Sequence, residues 1–430
     1  MFRLRTRHSN ERSGVQSFFN FNGQQLIPPD TDQFARQNNF LADADLTLAA
    51  PTQWKHNFSG YEYHHVRENV DRVMDAGRAT TFGNFDFPFS TFADLNRAGF
   101  MYHGEYDPRL WARTNFGYEF EDENGFIGDR TAPPLTHGLR RNHAVFAEQA
   151  FLFSRLTVIA GGRFIHNESF GNRGVPRAAL TLLAFRGGEF FSGTRLRFAY
   201  GEGIKEPSFD ESFGTGSFFI IANPNLKPEK NRTLETAVVQ SFMGDRYSIS
   251  AGYYNNLFRD QVAFTSDPTT FIGQFVNLNR SLAHGAEVEF HGRPATRLSA
   301  DASYVYTSSQ ILQSPLAFDP LLAAGSPLLR RPKHAGSVTL NYIARRWGGN
   351  LSTVGIGRRT DSDFFGLTPH VDHAAGYVRA DASGWYELQR HVTAFLAIEN
   401  LLNKRYEEAA GYPALKANFR AGLRFRFGGE

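Results

Sequence analysis

The stretch Lys416-Ala-Asn-Phe-Arg-Ala-Gly-Leu-Arg-Phe-Arg-Phe427 decides how the chain is read. Phe419, Ala421, Leu423, Phe425 and Phe427 stand at every second position, with Arg420, Gly422, Arg424 and Arg426 between them. Successive side chains of a strand point to opposite faces, so this is a strand with one apolar and one basic face. It needs lipid or core on one side and water on the other. A half-buried strand of a soluble sandwich meets that need, and so does the wall of an outer-membrane barrel, with lipid outside and a wet lumen inside.

Working outward, the same alternation recurs along the chain. At the N-terminus Phe2, Leu4 and Thr6 alternate with Arg3, Arg5 and Arg7, so the chain begins inside a strand and shows no apolar run or cleavage site of a secretory signal. Leu196, Phe198 and Tyr200 alternate with Arg195, Arg197 and Ala199; Ala286, Val288 and Phe290 with Glu287, Glu289 and His291; Val338, Leu340 and Tyr342 with Ser337, Thr339 and Asn341. Charges of both signs on the non-lipid faces suit a hydrated lumen and would be costly in a dry sandwich core. A helical turn is expected only around Thr91 to Arg97.

Connection lengths add an asymmetry. Tight turns are expected at 50–52, 107–109, 154–155, 186–188, 243–245, 292–294, 345–347 and 388–390, where Gly, Pro, Asp and Arg interrupt the alternation. Between these pairs lie longer connections, at 10–33, 67–97, 123–137, 204–229, 311–332 and 361–375, with brief ones near 170 and 267. Short loops on one side and long loops on the other mark an outer-membrane barrel, here of about 18 strands.

Composition excludes several alternatives. The 430 residues include 42 Phe, 16 Tyr and 40 Gly, as aromatic girdles and many turns require. A net charge of +3 with interspersed signs gives no case for nucleic acid. The absence of cysteine excludes disulfides and thiolate metal sites. His56, His64 and His65 could form a metal cluster but lack carboxylates at ligand spacing, so no metal or cofactor is expected. Gly201-x-Gly203 opens no helix and carries no nucleotide signal, and no pair of acids stands out as general acid and base.

Several motifs resemble those of TonB-dependent outer-membrane receptors. They are Phe198-Ala-Tyr-Gly-Glu-Gly-Ile-Lys-Glu-Pro207, Asn223-Pro-Asn-Leu-Lys-Pro-Glu229 followed by Glu235, Val276-Asn277 with Gly285-Ala-Glu-Val-Glu289, Arg330-Arg-Pro-Lys-His334, and Ile398-Glu-Asn-Leu-Leu-Asn-Lys-Arg-Tyr406 with Tyr412-Pro413. Ile204 stands where an aromatic is usual, and Ala222 where a glycine is. The resemblance implies an all-β, transmembrane, antiparallel up-and-down barrel, about 18 strands of 22. It implies a single barrel domain over 1–430, truncated at its N-terminus, with plug, TonB box and signal peptide missing. The terminal aromatic read by the barrel assembly machinery would be Phe427.

The function so implied is energy-coupled uptake of a large scarce nutrient, such as an iron-siderophore or cobalamin, in the outer membrane of a Gram-negative bacterium. The implied partners are outer-membrane lipid, TonB acting through the plug segment, and a large small-molecule ligand; no catalytic residues are expected. A passive porin and a soluble all-β binding protein remain as alternatives. Aromatic patches in the long connections are the ligand-binding candidates: Phe82, Phe85 and Phe87, then Phe218 and Phe219, then Phe364 and Phe365. Girdle or loop-packing roles would account for them equally.

Overall fold

The computed structural model describes residues 1–14, 32–50, 53–72, 79–80, 83–84, 88–131, 133–214, 220–267, 269–270, 272–316, 318–362, 370–409 and 412–427, with only the backbone of 79–80 and 83–84. Among these residues one sheet of nineteen strands dominates. One member is the two-residue segment Ile220–Ile221; the other eighteen form a continuous wall. They are β1 (Phe2–Gly14), β2 (Phe34–Ala49), β3 (Trp54–Asp71), β4 (Phe89–Arg109), β5 (Ala112–Asp129) and β6 (Thr136–Leu152). Then come β7 (Leu156–Asn167), β8 (Gly171–Arg186), β9 (Phe191–Lys205), β10 (Glu229–Phe242), β11 (Tyr247–Ser266) and β12 (Gly273–Ala295). The last are β13 (Leu298–Gln313), β14 (His334–Ile343), β15 (Trp347–Ile356), β16 (Tyr377–Gln389), β17 (Val392–Glu399) and β18 (Asn418–Phe425).

Each wall strand pairs antiparallel with its neighbours in chain order, from β1–β2 to β17–β18. This is the expected up-and-down topology. No pairing joins β18 to β1 among the described residues, so the wall is open there.

Register sorts the side chains by face. Leu196, Phe198, Val288, Leu340, Leu423 and Phe425, read as lipid-facing, are 39–54% exposed. A soluble sandwich would have buried them. The opposite face carries cross-strand ion pairs, including Arg5 with Asp43 and Asp45 at 2.7 and 2.9 Å, Lys55–Glu105 at 2.7 Å and Arg163–Glu119 at 2.9 Å. In the closing strand Arg420 meets Glu399 at 2.5 Å. These basic side chains thus balance acids of the next strand, or for Arg163 of the next but one, along the lumen.

Aromatic side chains gather at the short-turn end. Trp54 stacks on Tyr106 at 4.1 Å, Trp111 on Phe151 and Phe153, and Tyr342 packs on Trp347 at 4.7 Å. Rings with one apolar and one wet end belong at the boundary of lipid and water.

Three details differ from the sequence reading. The turns expected at 107–109, 292–294 and 388–390 fall at 110–111, 296–297 and 390–391, because bulges at the ends of β4, β12 and β16 carry Pro108, Pro294 and Leu388 within the strands. The segment from Thr91 to Arg97 is strand, laddered to β3 and β5 on both sides. The strands also run further toward the long connections than alternation indicated: β3 extends to Asp71 and β5 to Asp129. Beyond the lipid both faces meet water, so the apolar rhythm that reveals a strand disappears.

Candidate ligand-facing mouth

The connection after β9 folds back against the lumen wall at the long-loop end. Its first turn is a short helix, α1 (Phe209–Phe213), stopped and started by local chemistry: the Ser208 side chain accepts from the Glu211 backbone N–H, Glu211 accepts from the Ser208 N–H at 2.6 Å, and Gly214 ends it. Phe209 is buried against Ala93 of β4 and Ile127 of β5, with Leu95 and Phe213 around it. Gly138 of β6 permits this approach, since a Cβ there would lie 2.3 Å from Phe209 Cζ.

Polar groups fix the same segment. Arg67 of β3 donates to Asp210 at 2.7 Å, and Arg140 of β6 donates to the Pro207 carbonyl at 2.5 Å. Glu206 accepts from Asn142 at 2.6 Å and from Asn167 at 3.3 Å. Beneath them Glu123, almost fully buried, is shared by Arg140 and by Arg97, the latter at 2.6 Å. Glu121 takes the Tyr61 hydroxyl. Burial pushes the Glu206 carboxyl up from its ordinary range; Glu121 and Glu123 act in the same direction and Arg140 and Arg97 against it.

The second half of this connection is tied to the other side of the mouth. Ile220–Ile221 pairs in parallel with Gly273 and Gln274 of β12. Asn223 donates to the Phe275 carbonyl at 2.8 Å, while Asn277 accepts from Lys227 N–H at 2.9 Å and donates to the Asp260 carbonyl at 2.7 Å. Glu229 accepts from Lys205 at 3.3 Å and from Val262 N–H at 3.0 Å. The other motif residues do similar work. Arg330 donates to the fully buried Asp361 at 2.9 Å, and Asn400 donates to the Lys404 and Leu415 carbonyls at 2.9 and 3.0 Å.

Most of the motif residues that carry the resemblance are therefore bolts at the bases of connections, set in an antiparallel wall, while Gly285 to Glu289 lies within β12. The family profile described as "TonB dependent receptor-like, beta-barrel" matches residues 3–401. The chain belongs to that family. TonB-dependent receptors are outer-membrane β-barrels of Gram-negative bacteria, and this receptor barrel is located accordingly. Over 320 residues it is 26% identical to the vitamin B12 transporter BtuB of Vibrio cholerae, a match covering 72% of this chain and 46% of that protein. The chain thus spans about half the length of the curated relatives it matches. Its fold is similar to the copper transporter OprC, with a TM-score of 0.71, 13% identity and coverage of 98% of this chain and 76% of the other. It is equally similar to the siderophore receptor PiuA of Acinetobacter baumannii, at 0.73, 13%, 99% and 71%. The family is one of receptors and transporters rather than enzymes.

Against this receptor barrel the candidate residues can be placed. Phe82, Phe85, Phe87, Phe218, Phe219, Phe364 and Phe365 all lie outside the described residues. The three histidines do not converge. His64 and His65 are strand neighbours on opposite faces; His56 bonds the Tyr102 hydroxyl at 2.9 Å, His64 meets Asp94 at 2.7 Å and His65 meets Asn39 at 2.5 Å. No group of three or more His, Asp or Glu side chains among the described residues could hold a metal ion. The Arg67, Arg97, Glu123, Arg140, Glu206 and Asp210 cluster was not anticipated. Its trace in the sequence is the run Glu119, Glu121, Glu123 on one face of β5, but alternation does not name the partners.

Proposed function

We propose that this chain forms the wall of a receptor that takes up a large scarce nutrient, an iron-siderophore or cobalamin, with energy delivered through TonB. In this reading the long connections and a plug capture the ligand, and plug rearrangement driven by the inner-membrane proton-motive force releases it inward. The single observation that carries it is the family match across residues 3–401. The relative described as a vitamin B12 transporter and the structural neighbours described as siderophore receptors support the substrate class.

The wall itself weighs against a passive porin. An 18-stranded porin closes on itself, whereas among the described residues β1 and β18 are not paired with each other. We infer that further strands, and the plug with its TonB-engaging segment, complete the barrel, and that Phe427 is the aromatic read during assembly. Unpaired edges in hydrocarbon would otherwise be costly.

The test is uptake of a panel of siderophores, haem and cobalamin by cells carrying the complete receptor, with and without TonB. Accumulation of one ligand that stops when TonB is removed is expected. Equal accumulation without TonB overturns the mechanism. Deleting 82–89 is expected to abolish binding of that ligand while heat-modifiable gel migration, the sign of a folded barrel, is kept. Unchanged uptake of every compound would reject those phenylalanines as ligand contacts.

A further inference from the structure

Above the apolar band of β10 to β12, register brings like charges together. Lys230, Arg259 and Arg280 are successive cross-strand partners. Counting down the strands by twos places them on the face of Val238, Ala251 and Val288, the face turned to lipid. The row beneath is Arg232, Leu257 and Leu282, and the next is Leu234, Asn255 and His284, so apolar side chains reach up to the basic row. One such step is about 7 Å along a strand, and the apolar band of these barrels is about 25 Å tall. The basic row therefore stands at the height of lipid headgroups, on the long-connection side.

Like charges directly opposite each other destabilise a sheet. Little in the protein offsets them here. Asp260 is 3.8 Å from Lys230, and Glu202, across from Arg232, is engaged by the Tyr200 hydroxyl at 2.6 Å. Among the described residues Arg232, Arg259 and Arg280 make no ion pair, and Arg280 Nε is buried without a hydrogen-bond partner. We propose that this row binds the phosphates of anionic lipid headgroups in the outer leaflet. Guanidinium groups match phosphate oxygens in geometry and charge, and lipid anchored by its chains in the apolar band presents those oxygens at this height.

The test uses the receptor extracted from outer membranes in mild detergent and transferred to phosphatidylcholine vesicles. Some vesicles also carry diphosphoryl lipid A, others the same lipid dephosphorylated, and a third set has inorganic phosphate in solution. The readouts are the thermal midpoint of the folded barrel and the lipid phosphate retained after re-extraction. Diphosphoryl lipid is expected to raise the midpoint and to be retained several-fold over the dephosphorylated form, with inorganic phosphate inert. The triple variant Lys230→Gln, Arg259→Gln, Arg280→Gln should lose both effects yet be at least as stable as the parent in phosphatidylcholine alone. Should the triple variant not fold, the single variants are expected to lose retention in part and Arg→Lys changes to restore it in part. Equal retention by parent and variants, equal effects of the two lipid forms, or reproduction of the shift by inorganic phosphate would each overturn the proposal.

Discussion

Arg140 and Glu123 face each other with side chains only 7% exposed, so each is intelligible only with the other. Removing one partner of a buried pair leaves an uncompensated charge, which costs about 3–5 kcal/mol. Arg140→Met should therefore lower the denaturant midpoint of the folded barrel strongly. A double variant that also carries Glu123→Gln should recover much of the loss, because Arg97 retains Glu121 at 3.7 Å. An additive double variant would contradict the pairing. Glu206 gives a second expectation, in pH. Its carboxyl is raised by burial, so the folded protein holds that proton more tightly than the unfolded chain does. The stabilisation is fully present below the ordinary carboxylate range and is lost as pH rises through the raised value. Glu206→Gln should remove that decline, so the variant gains on the parent as pH increases. Parallel stability–pH curves for the two would show that Glu206 is not the group responsible.

At the scale of the element, the faces of β14 are directly testable. Leu340, level with Leu351 and Ala300, looks into lipid, while Thr339, bonded to Ser352 at 3.1 Å, looks into the lumen. An arginine at Leu340 should cost about 2–4 kcal/mol if it lies near the bilayer midplane, and one at Thr339 far less. Equal tolerance would mean the strand is turned the wrong way. For α1, Gly138→Val should displace Phe209 and expose the 206–228 connection to added protease without affecting barrel migration on gels. These elements were legible to different degrees. The number of strands and their lipid-facing residues could be read because water and lipid impose a two-residue rhythm wherever a strand crosses the band. The ends could not: Asp122 and Asn124 continue β5 on its outer face above the lipid, where polar residues look like loop. Nor could α1 be read. Five residues carry no helical period, and Phe209 is buried by strands that lie far away in sequence.

For the whole molecule, the open seam between β1 and β18 makes the sharpest prediction. These 430 residues contain no cysteine, so within them an introduced pair is the sole source of a disulfide. Leu4→Cys combined in turn with Phe419→Cys, Ala421→Cys, Leu423→Cys or Phe425→Cys should give no disulfide under oxidising conditions in the assembled receptor. Efficient cross-linking at any register would mean that the eighteen strands close directly. The 206–228 connection has a wider consequence. Its first half is fastened to β3, β4, β5, β6 and β7, its second half to β12; of the loop's own fastening residues Glu206, Pro207 and Asn223 belong to the motifs, whereas Phe209, Asp210, Ile220 and Ile221 do not. On the proposed reading, in which the long connections capture the ligand, support and ligand contact are divided within one loop. The stretch between the fixings can be rewritten, by natural drift or by grafting from a relative, while the frame that receives it stays in place. On that reading a barrel of this kind can exchange its ligand contacts while the residues that hold the loop stay unchanged.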